Sequence, residues 1–379
     1  MTDSRPARVL YVSPHAALGG AERVTLDLVE LHDRREVEPA VCFLADGPLV
    51  GFCHDTLKVP THLLPAPSLR DVFAARRTVK ALADLIRREE IDLVHGVMAW
   101  GHVYGGRAAA RTGRPAVWYQ HIGASWRSAL EVAAALTPAR RILANSAFTA
   151  TRQRRVNPRF APVAVVHPGT RLPTEPRDVR RRRGRAALEL AENEFAVGIV
   201  ARLQRWKGQD VVLQGAASLL RAWANARLLI IGEAAFGFEP EYPAQLEQMA
   251  RRLGIASRVT FTGFRADIPD CLAALDIAVH ASVTPEPFGL ALVEAMAAGT
   301  ALVAAEGGAV REIATPGTDA LLVPPGEPEQ LSVALLALAD DPALRERLAE
   351  AGAATARTRF DAVAMTRTVE AIYREILRR

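Results

Sequence analysis

A chain of 379 residues, half of them hydrophobic and 23% charged, is too long for one ordinary core and too apolar for a disordered, collagenous or disulfide-scaffold protein; about two domains of roughly 150 to 200 residues are expected. The net charge of +5 hides an asymmetry, since residues 1–170 hold 22 basic and 15 acidic side chains and the remainder holds 25 and 27. Cys42, Cys53 and Cys271 are widely spaced and form no CxxC pair, which disfavours a zinc site or redox couple and fits a reducing compartment.

In chain order, MTDSRPARVLYVSPH lacks the apolar core of a signal peptide. No apolar run approaches the roughly 18 residues that cross a bilayer, so a cytoplasmic protein is expected. Short β-branched runs follow, namely RVLYVS, PAVCFLA, IDLVHG, PAVWYQH, RRILANS and PVAVVHPG, alternating with helical segments such as AERVTLDLVELH and RDVFAARRTVKALADLIRREE. This alternation predicts a parallel sheet with helices on both faces. The charge on those helices is either a solvated face or an attraction to an anionic substrate or membrane surface.

HPGTRLPTEPRD, residues 167–178, carries three prolines and a glycine and interrupts the alternation. It restarts with EFAVGIVARL, ARLLIIG, RVTFTGF, LDIAVHAS and TALVAAE, so two doubly wound domains are joined by a linker. The arginines of RDVRRRRGR either grip a polyanion or open a solvated helix that AALELAEN continues; with no aromatic-rich surroundings, no nucleic-acid partner is expected. FDAVAMTRTVEAIYREILRR closes the chain as an amphipathic helix.

Ligands of open parallel sheets bind beyond the carboxyl ends of strands. GxGxxG behind the first strand, GxxxxGK[ST], HExxH and DxD are all missing from the sequence, which argues against a dinucleotide dehydrogenase, a P-loop NTPase, a zincin and a metal-chelating transferase. Two anion-binding features remain. In ARLQRWKGQD, Arg202 and Lys207 flank a turn between a strand and a helix and could clamp a diphosphate. Lys207 is one of three lysines among 47 basic residues; the alternative is an ordinary surface lysine.

The second feature is TPEPFGLALVEAMAAG at 284–299. Pro285 and Pro287 favour extended backbone ahead of a helix and leave the amides around Phe288, Gly289 and Leu290 at its N-terminus, where phosphate is attracted. Glu294 lies six residues beyond Phe288, roughly 9 Å along the axis, the order of the separation between a phosphate and the far hydroxyls of its ribose. A carboxylate suits that diol; equally, Glu294 could be a buried carboxylate paired with a basic neighbour. Glu286 either answers the helix dipole or, repelled by a diphosphate, faces the sugar beyond it.

GIVARLQRWKG, LLIIGE, VTFTGF and EPFGLALVEAMAAGTALVAAEGGAVREI resemble the second domain of the family 4 glycosyltransferases of the GT-B class. GGAE at 19–22, the strand-end His121, Ser146 after RRILAN, and Pro168-Gly169 are similar to first-domain features of that family. The resemblance implies an α/β GT-B fold: two doubly wound Rossmann-like domains with a cleft between them. Residues 1–170 would bind the acceptor, joined by a C-terminal helix, 361–379, that crosses back, and 171–360 would bind the donor. It implies retaining, metal-independent transfer of a hexose from a nucleoside diphosphate sugar, with UDP or GDP expected, to a hydroxyl of a small molecule, glycan or lipid-linked acceptor. No cofactor is implied.

Residue by residue, the resemblance gives the donor diphosphate to Arg202 and Lys207 with the amides of Phe288, Gly289 and Leu290, the ribose to Glu294, and the transferred sugar to Glu286. His121, which alone would read as a structural histidine, becomes the active-site histidine beside that sugar. The Gly19-Gly20 turn would lie near the donor phosphates and the acceptor. Two departures stand out: ARL lacks the glycine that often precedes the arginine, and HPGT replaces an Asn-Gly turn. Trp100, Tyr119, Trp126 and Arg127 either line an acceptor site or are packing residues. A nucleotide-sugar epimerase and a noncatalytic nucleotide-sugar-binding protein stay open as alternatives, as does peripheral contact of the basic half with the anionic inner face of a membrane.

Overall fold

The computed structural model describes residues 5–157, 161–234, 237 and 239–378. Residues 1–4 of the opening segment and Arg379 of the closing one lie outside these. The chain divides into two compact units, Met1–Arg171 with Ala362–Arg379, and Leu172–Asp361.

The first unit is built on strands β1 (Ala7–Ser13), β2 (Val37–Phe43), β3 (Thr61–Leu63), β4 (Leu93–Val97), β5 (Ala116–Gln120), β6 (Arg141–Ala144) and β7 (Val163–Val165), paired in parallel in the order β3-β2-β1-β4-β5-β6-β7. The second holds β8 (Phe195–Val200), β9 (Ala226–Ile231), β10 (Val259–Gly263), β11 (Ile277–His280), β12 (Ala301–Ala305) and β13 (Leu321–Val323), also parallel, in the order β10-β9-β8-β11-β12-β13. Their central strands are buried on both faces, which is why they read as continuous apolar runs. Along β8, Phe195, Val197 and Ile199 enter one core and Ala196 the other.

β3 and β13 were not expected. Each has three residues at a sheet edge, too short to show a period against the loops around it. The arginine run also departs from a solvated helix start. Within helix Arg177–Ala187, Arg180 and Arg185 are each only 6% exposed. Arg181 donates to the carbonyls of Ala274 and Leu275 at 3.1 Å and Arg185 to that of Ala274 at 3.2 Å, at the C-terminal end of helix Ile268–Ala274. Cations suit that end of a helix dipole.

The closing helix, Ala362–Leu377, completes the first unit. Tyr373 Oη lies 2.9 Å from Tyr11 Oη of β1 and 2.5 Å from His95 Nδ1 of β4, and Glu370 Oε1 lies 2.9 Å from His32 Nδ1. Where the chain leaves and re-enters this unit, Ala362 N donates to Thr170 O at 3.0 Å, and Arg171 bridges Asp27 and Glu30 at 2.6 Å each.

Candidate active site

In each sheet the strand order reverses once, and a reversal leaves a crevice outside the carboxyl ends of the two strands that flank it. In the second unit it falls between β8 and β11. Lys207 lies on the turn Arg205–Lys207 that follows β8, and Glu286 lies in the loop between β11 and helix Leu290–Ala298. Residues 79 apart in sequence thus meet: Lys207 Nζ donates to Glu286 Oε2 at 2.8 Å.

The same oxygen accepts from Ser282 Oγ at 2.7 Å and faces His280 Nε2 at 3.0 Å. Glu286 is 6% exposed. Burial alone would raise its carboxyl, but the Lys207 ammonium and His280 outweigh it and hold the group well below the usual carboxylate range. Glu286 is therefore ionised, with Oε2 taken by three neighbours. Burial pushes the Lys207 ammonium below its ordinary value against the pull of Glu286, and the positive charge of Arg202 adds to the push. Lys207 also lies 3.9 Å over the Trp206 ring. His280 and Ser282 are absent from the expected set. Their only signal was HAS at a strand end, one residue ahead of TPEP.

Two glycines shape this loop. Gly308, at φ +66, lies against the backbone of Glu286, where a Cβ would sit 2.1 Å from the Glu286 carbonyl oxygen. Gly289, at φ +100, caps helix Leu290–Ala298 without a side-chain cap bond, so the start of that helix is built by backbone. The Phe288 side chain is 3% exposed and stacks edge-on to Phe360 at 5.9 Å. Glu294, one turn into the helix, is half-buried.

In the first unit the order reverses between β1 and β4. Gly19 precedes helix Gly20–Leu31 after β1, and a Cβ there would sit 2.6 Å from Glu22 Oε2. Glu22, in the first turn of that helix, is 5% exposed. After β4, Met98 adopts φ +55, a strained value for a non-glycine residue.

His121 directly follows β5 and is 8% exposed. Burial drives its imidazole down to about 3, so it is neutral at physiological pH, and its buried Nε2 has no hydrogen-bond partner among the described residues. Of the aromatic residues expected at an acceptor, Trp126 is 60% exposed with its indole N–H donated to Arg155 O, and Arg127 beside it is exposed. Trp100 is half-buried against Tyr104. Tyr119 is 1% exposed and its hydroxyl donates to Val166 O at 2.7 Å, so the packing alternative describes it. Among the described residues no group of three His, Cys, Asp or Glu could hold a metal ion, and no helix is long and apolar enough to cross a membrane.

Residues 18–172 match the model of Glycosyltransferase Family 4 and residues 180–355 that of Glycosyl transferases group 1. A lipopolysaccharide core biosynthesis glycosyltransferase of Rhizobium meliloti is 38% identical over 162 residues, 42% of this chain and 45% of that protein. A D-inositol 3-phosphate glycosyltransferase of Streptomyces avermitilis is 32% identical over 287 residues, 69% of this chain and 61% of that protein. The chain thus spans about half the length of these curated relatives. Among solved structures, Anabaena Alr3699/HepE in complex with UDP-glucose superimposes with a TM-score of 0.84 at 28% identity, covering 97% of this chain and 99% of that one.

Proposed function

Because the chain belongs to the GT-B glycosyltransferases, family 4 in its first half and group 1 in its second, we propose that it moves a sugar from a nucleoside diphosphate sugar to an acceptor hydroxyl, retaining configuration and using no metal. The observation that carries the reading is the ionised, triply held Glu286 beside Lys207 at the β8/β11 reversal. With Oε2 occupied, the other carboxylate oxygen is the one to accept a hydroxyl of the transferred sugar. Lys207 and Arg202, with the start of helix Leu290–Ala298, neutralise the diphosphate as the sugar–phosphate bond breaks, which is how fixed positive groups lower such a barrier. Glu294 takes the ribose diol.

The acceptor attacks from the face the leaving group departs, and the departing phosphate oxygen takes the acceptor's proton. His121, neutral and with Nε2 unspent, hydrogen-bonds the transferred sugar without adding charge. On this reading residues 171–360 hold the donor, and residues 1–170 with 361–379 hold the acceptor, with Trp100, Trp126 and Arg127 as its candidate contacts. UDP-glucose, bound by the Anabaena relative, is the first donor to try. The basic first unit, with exposed Val72 and Phe73 beside Arg76, Arg77 and Lys80, meets an anionic acceptor or membrane leaflet.

One experiment separates the rival readings. UDP-glucose is incubated with the protein and followed by proton NMR, first alone and then with candidate acceptors. Acceptor-dependent UDP release, with slow hydrolysis to α-glucose in the acceptor's absence, is expected. An epimerised donor would mean an epimerase. An unchanged donor, repeated across UDP, GDP, ADP and TDP sugars, would leave only a binding protein.

A further inference from the structure

Behind His121 lies a buried polar cluster to which the reaction above gives no part. Gln120, the last residue of β5, is wholly buried and uses all four hydrogen-bonding positions of its side-chain amide. Its Oε1 accepts the backbone N–H groups of His121 at 3.1 Å and Ile122 at 3.3 Å. Its Nε2 donates to Glu131 Oε2 at 2.7 Å and to Gln153 Oε1 at 3.2 Å. Asn145 Nδ2 donates to the His121 carbonyl at 2.9 Å, so the histidine's backbone is held on both sides. The amide cannot turn over without facing two N–H groups with its own.

The charged member of this cluster is Glu131, 3% exposed in the first turn of helix Ala129–Ala135, whose start Ser128 caps. We propose that Glu131 is a positioning residue for the His121 imidazole, acting through the saturated Gln120 amide. The proposal rests on the reading that gives His121 to the transferred sugar. A carboxylate is a stronger acceptor for the Gln120 N–H than any neutral group of its size, and a fixed Gln120 fixes the peptide from which the His121 ring projects. A displacement of about 1 Å at a reacting centre can cost about a hundredfold in rate.

Burial, partly offset by the Gln120 hydrogen bond, raises the Glu131 carboxyl to about 7, so the clamp loosens as pH falls through neutrality. The ionisable groups on the elements packed around it are occupied elsewhere or remote in kind. On helix Met98–Thr112, His102 Nε2 meets Thr137 O at 3.2 Å, and Arg107 and Arg111 are exposed. On helix Ala147–Val156, Arg152 lies over the Phe148 ring at 4.6 Å and Arg154 donates to Val163 O, while Arg155 is exposed. His121 itself titrates far lower. Among the described residues no ion pair reaches Glu131.

The test compares the full chain as wild type, Glu131→Gln and Glu131→Leu, with labelled histidines, UDP binding and turnover of UDP-glucose as readouts. Nine histidines keep the spectrum tractable. In the wild type the His121 amide and ring signals should shift with a midpoint near the Glu131 value of about 7, and in Glu131→Gln that midpoint should vanish. The kcat should fall over the same limb in wild type, run flat in Glu131→Gln, and drop about tenfold or more in Glu131→Leu, with the Kd for UDP held within about twofold. A merely structural role would move stability and Kd together and leave no titration at His121. A His121 signal that does not respond to Glu131 overturns the proposal, even if Glu131→Leu fails to fold, because Glu131→Gln carries the comparison. If that signal titrates but the wild type turns over no nucleoside diphosphate sugar, the coupling stands and the function given to His121 is what fails.

Discussion

Glu286→Gln probes the site at its tightest point. The change keeps the side chain's shape and removes the charge that Lys207, His280 and Ser282 share. Lys207 Nζ, 2.8 Å away with its side chain 17% exposed, becomes a buried cation without its partner. Breaking a buried pair from one side costs about 3 to 5 kcal/mol. Because burial already depresses its pKa, Lys207 can deprotonate and shed part of that cost. The lower figure is therefore expected, about 3 kcal/mol, or roughly 6 to 12 °C in melting temperature for a domain of this size. The Glu286 carboxyl is depressed from 4.5, so its contribution is fully present above that value and is lost only as pH falls through the lower folded one. Titration of Glu286 itself therefore adds no pH dependence near neutrality, and the deficit should narrow as pH rises and the unpaired Lys207 sheds its proton. A nucleoside diphosphate supplies the missing anion, so UDP should bind the variant more tightly, by about tenfold if 1.4 kcal/mol of the lost pairing is recovered, and should restore its melting temperature. Transfer should nonetheless collapse, the mark of a contact needed at the reacting sugar. Calorimetry with UDP, thermal melts and initial rates measure all three. An unchanged melting temperature, or weaker UDP binding than wild type, would refute the assignment of Lys207 and Glu286 to one electrostatic unit.

Glu294→Ala should fail differently, weakening UDP by about 1 to 3 kcal/mol through loss of a charged hydrogen bond to the ribose; calorimetry showing unaltered UDP affinity would remove it from the site. If Arg202, Lys207 and helix amides do the neutralising that a divalent ion does elsewhere, as proposed, transfer should survive EDTA; complete loss restored by magnesium or manganese would contradict this. Raising the ionic strength should raise the acceptor KM through screening of the basic first unit, and a KM constant with salt, alongside no binding to anionic vesicles, would end that idea. Acid should destabilise the first unit: His121 and His102 are driven from 6.5 to about 3 and about 4 by burial. Between those values and 6.5 the unfolded chain takes up protons the folded one refuses, so stability falls with pH by about 1.4 kcal/mol per unit per histidine, while Glu131, raised from 4.5 to about 7, works the other way and offsets about one of the two, leaving a net loss. Urea midpoints at pH 7 and 5, read by tryptophan fluorescence, check it, and equal midpoints would refute it.

Strands with four or more apolar residues buried on both faces announce themselves, as RVLYVS and FAVGIV do. Of the three-residue edges, Val163–Val165 shows through the valine-rich run PVAVV, whereas Thr61–Leu63 and Leu321–Val323 sit in leucine-rich stretches that favour strand no more than helix. The arginines at 177–185 show a limit of another kind: charge density says nothing about which guanidinium finds helix-end carbonyls, since those carbonyls come from residues about ninety positions away. At the candidate site, Lys207 and Glu286 were legible singly, from spacing and family likeness. Their contact was not, because only the reversal of strand order brings the loops after β8 and β11 side by side. His280 and Ser282 were hidden for the same reason, as a strand-end histidine and serine carry no pattern of their own. Gln120 and Glu131 follow suit, their sense lying in who accepts from whom.

The return of helix Ala362–Leu377 to the first unit has a consequence for how the protein is made. When β7 leaves the ribosome, Tyr11 and His95 still lack the Tyr373 hydroxyl, and His32 lacks Glu370. About two hundred residues separate Val165 from Tyr373, which at ~5–20 residues per second is roughly 10 to 40 s of translation. Through that interval the first-born half waits, with Tyr11, His32 and His95 unmatched, while the second half, encoded without interruption from Leu172 to Asp361, has everything it needs to finish. Order of maturation should therefore run against order of synthesis, and a chaperone that shields exposed apolar sheet would find its client in the N-terminal half of the nascent chain.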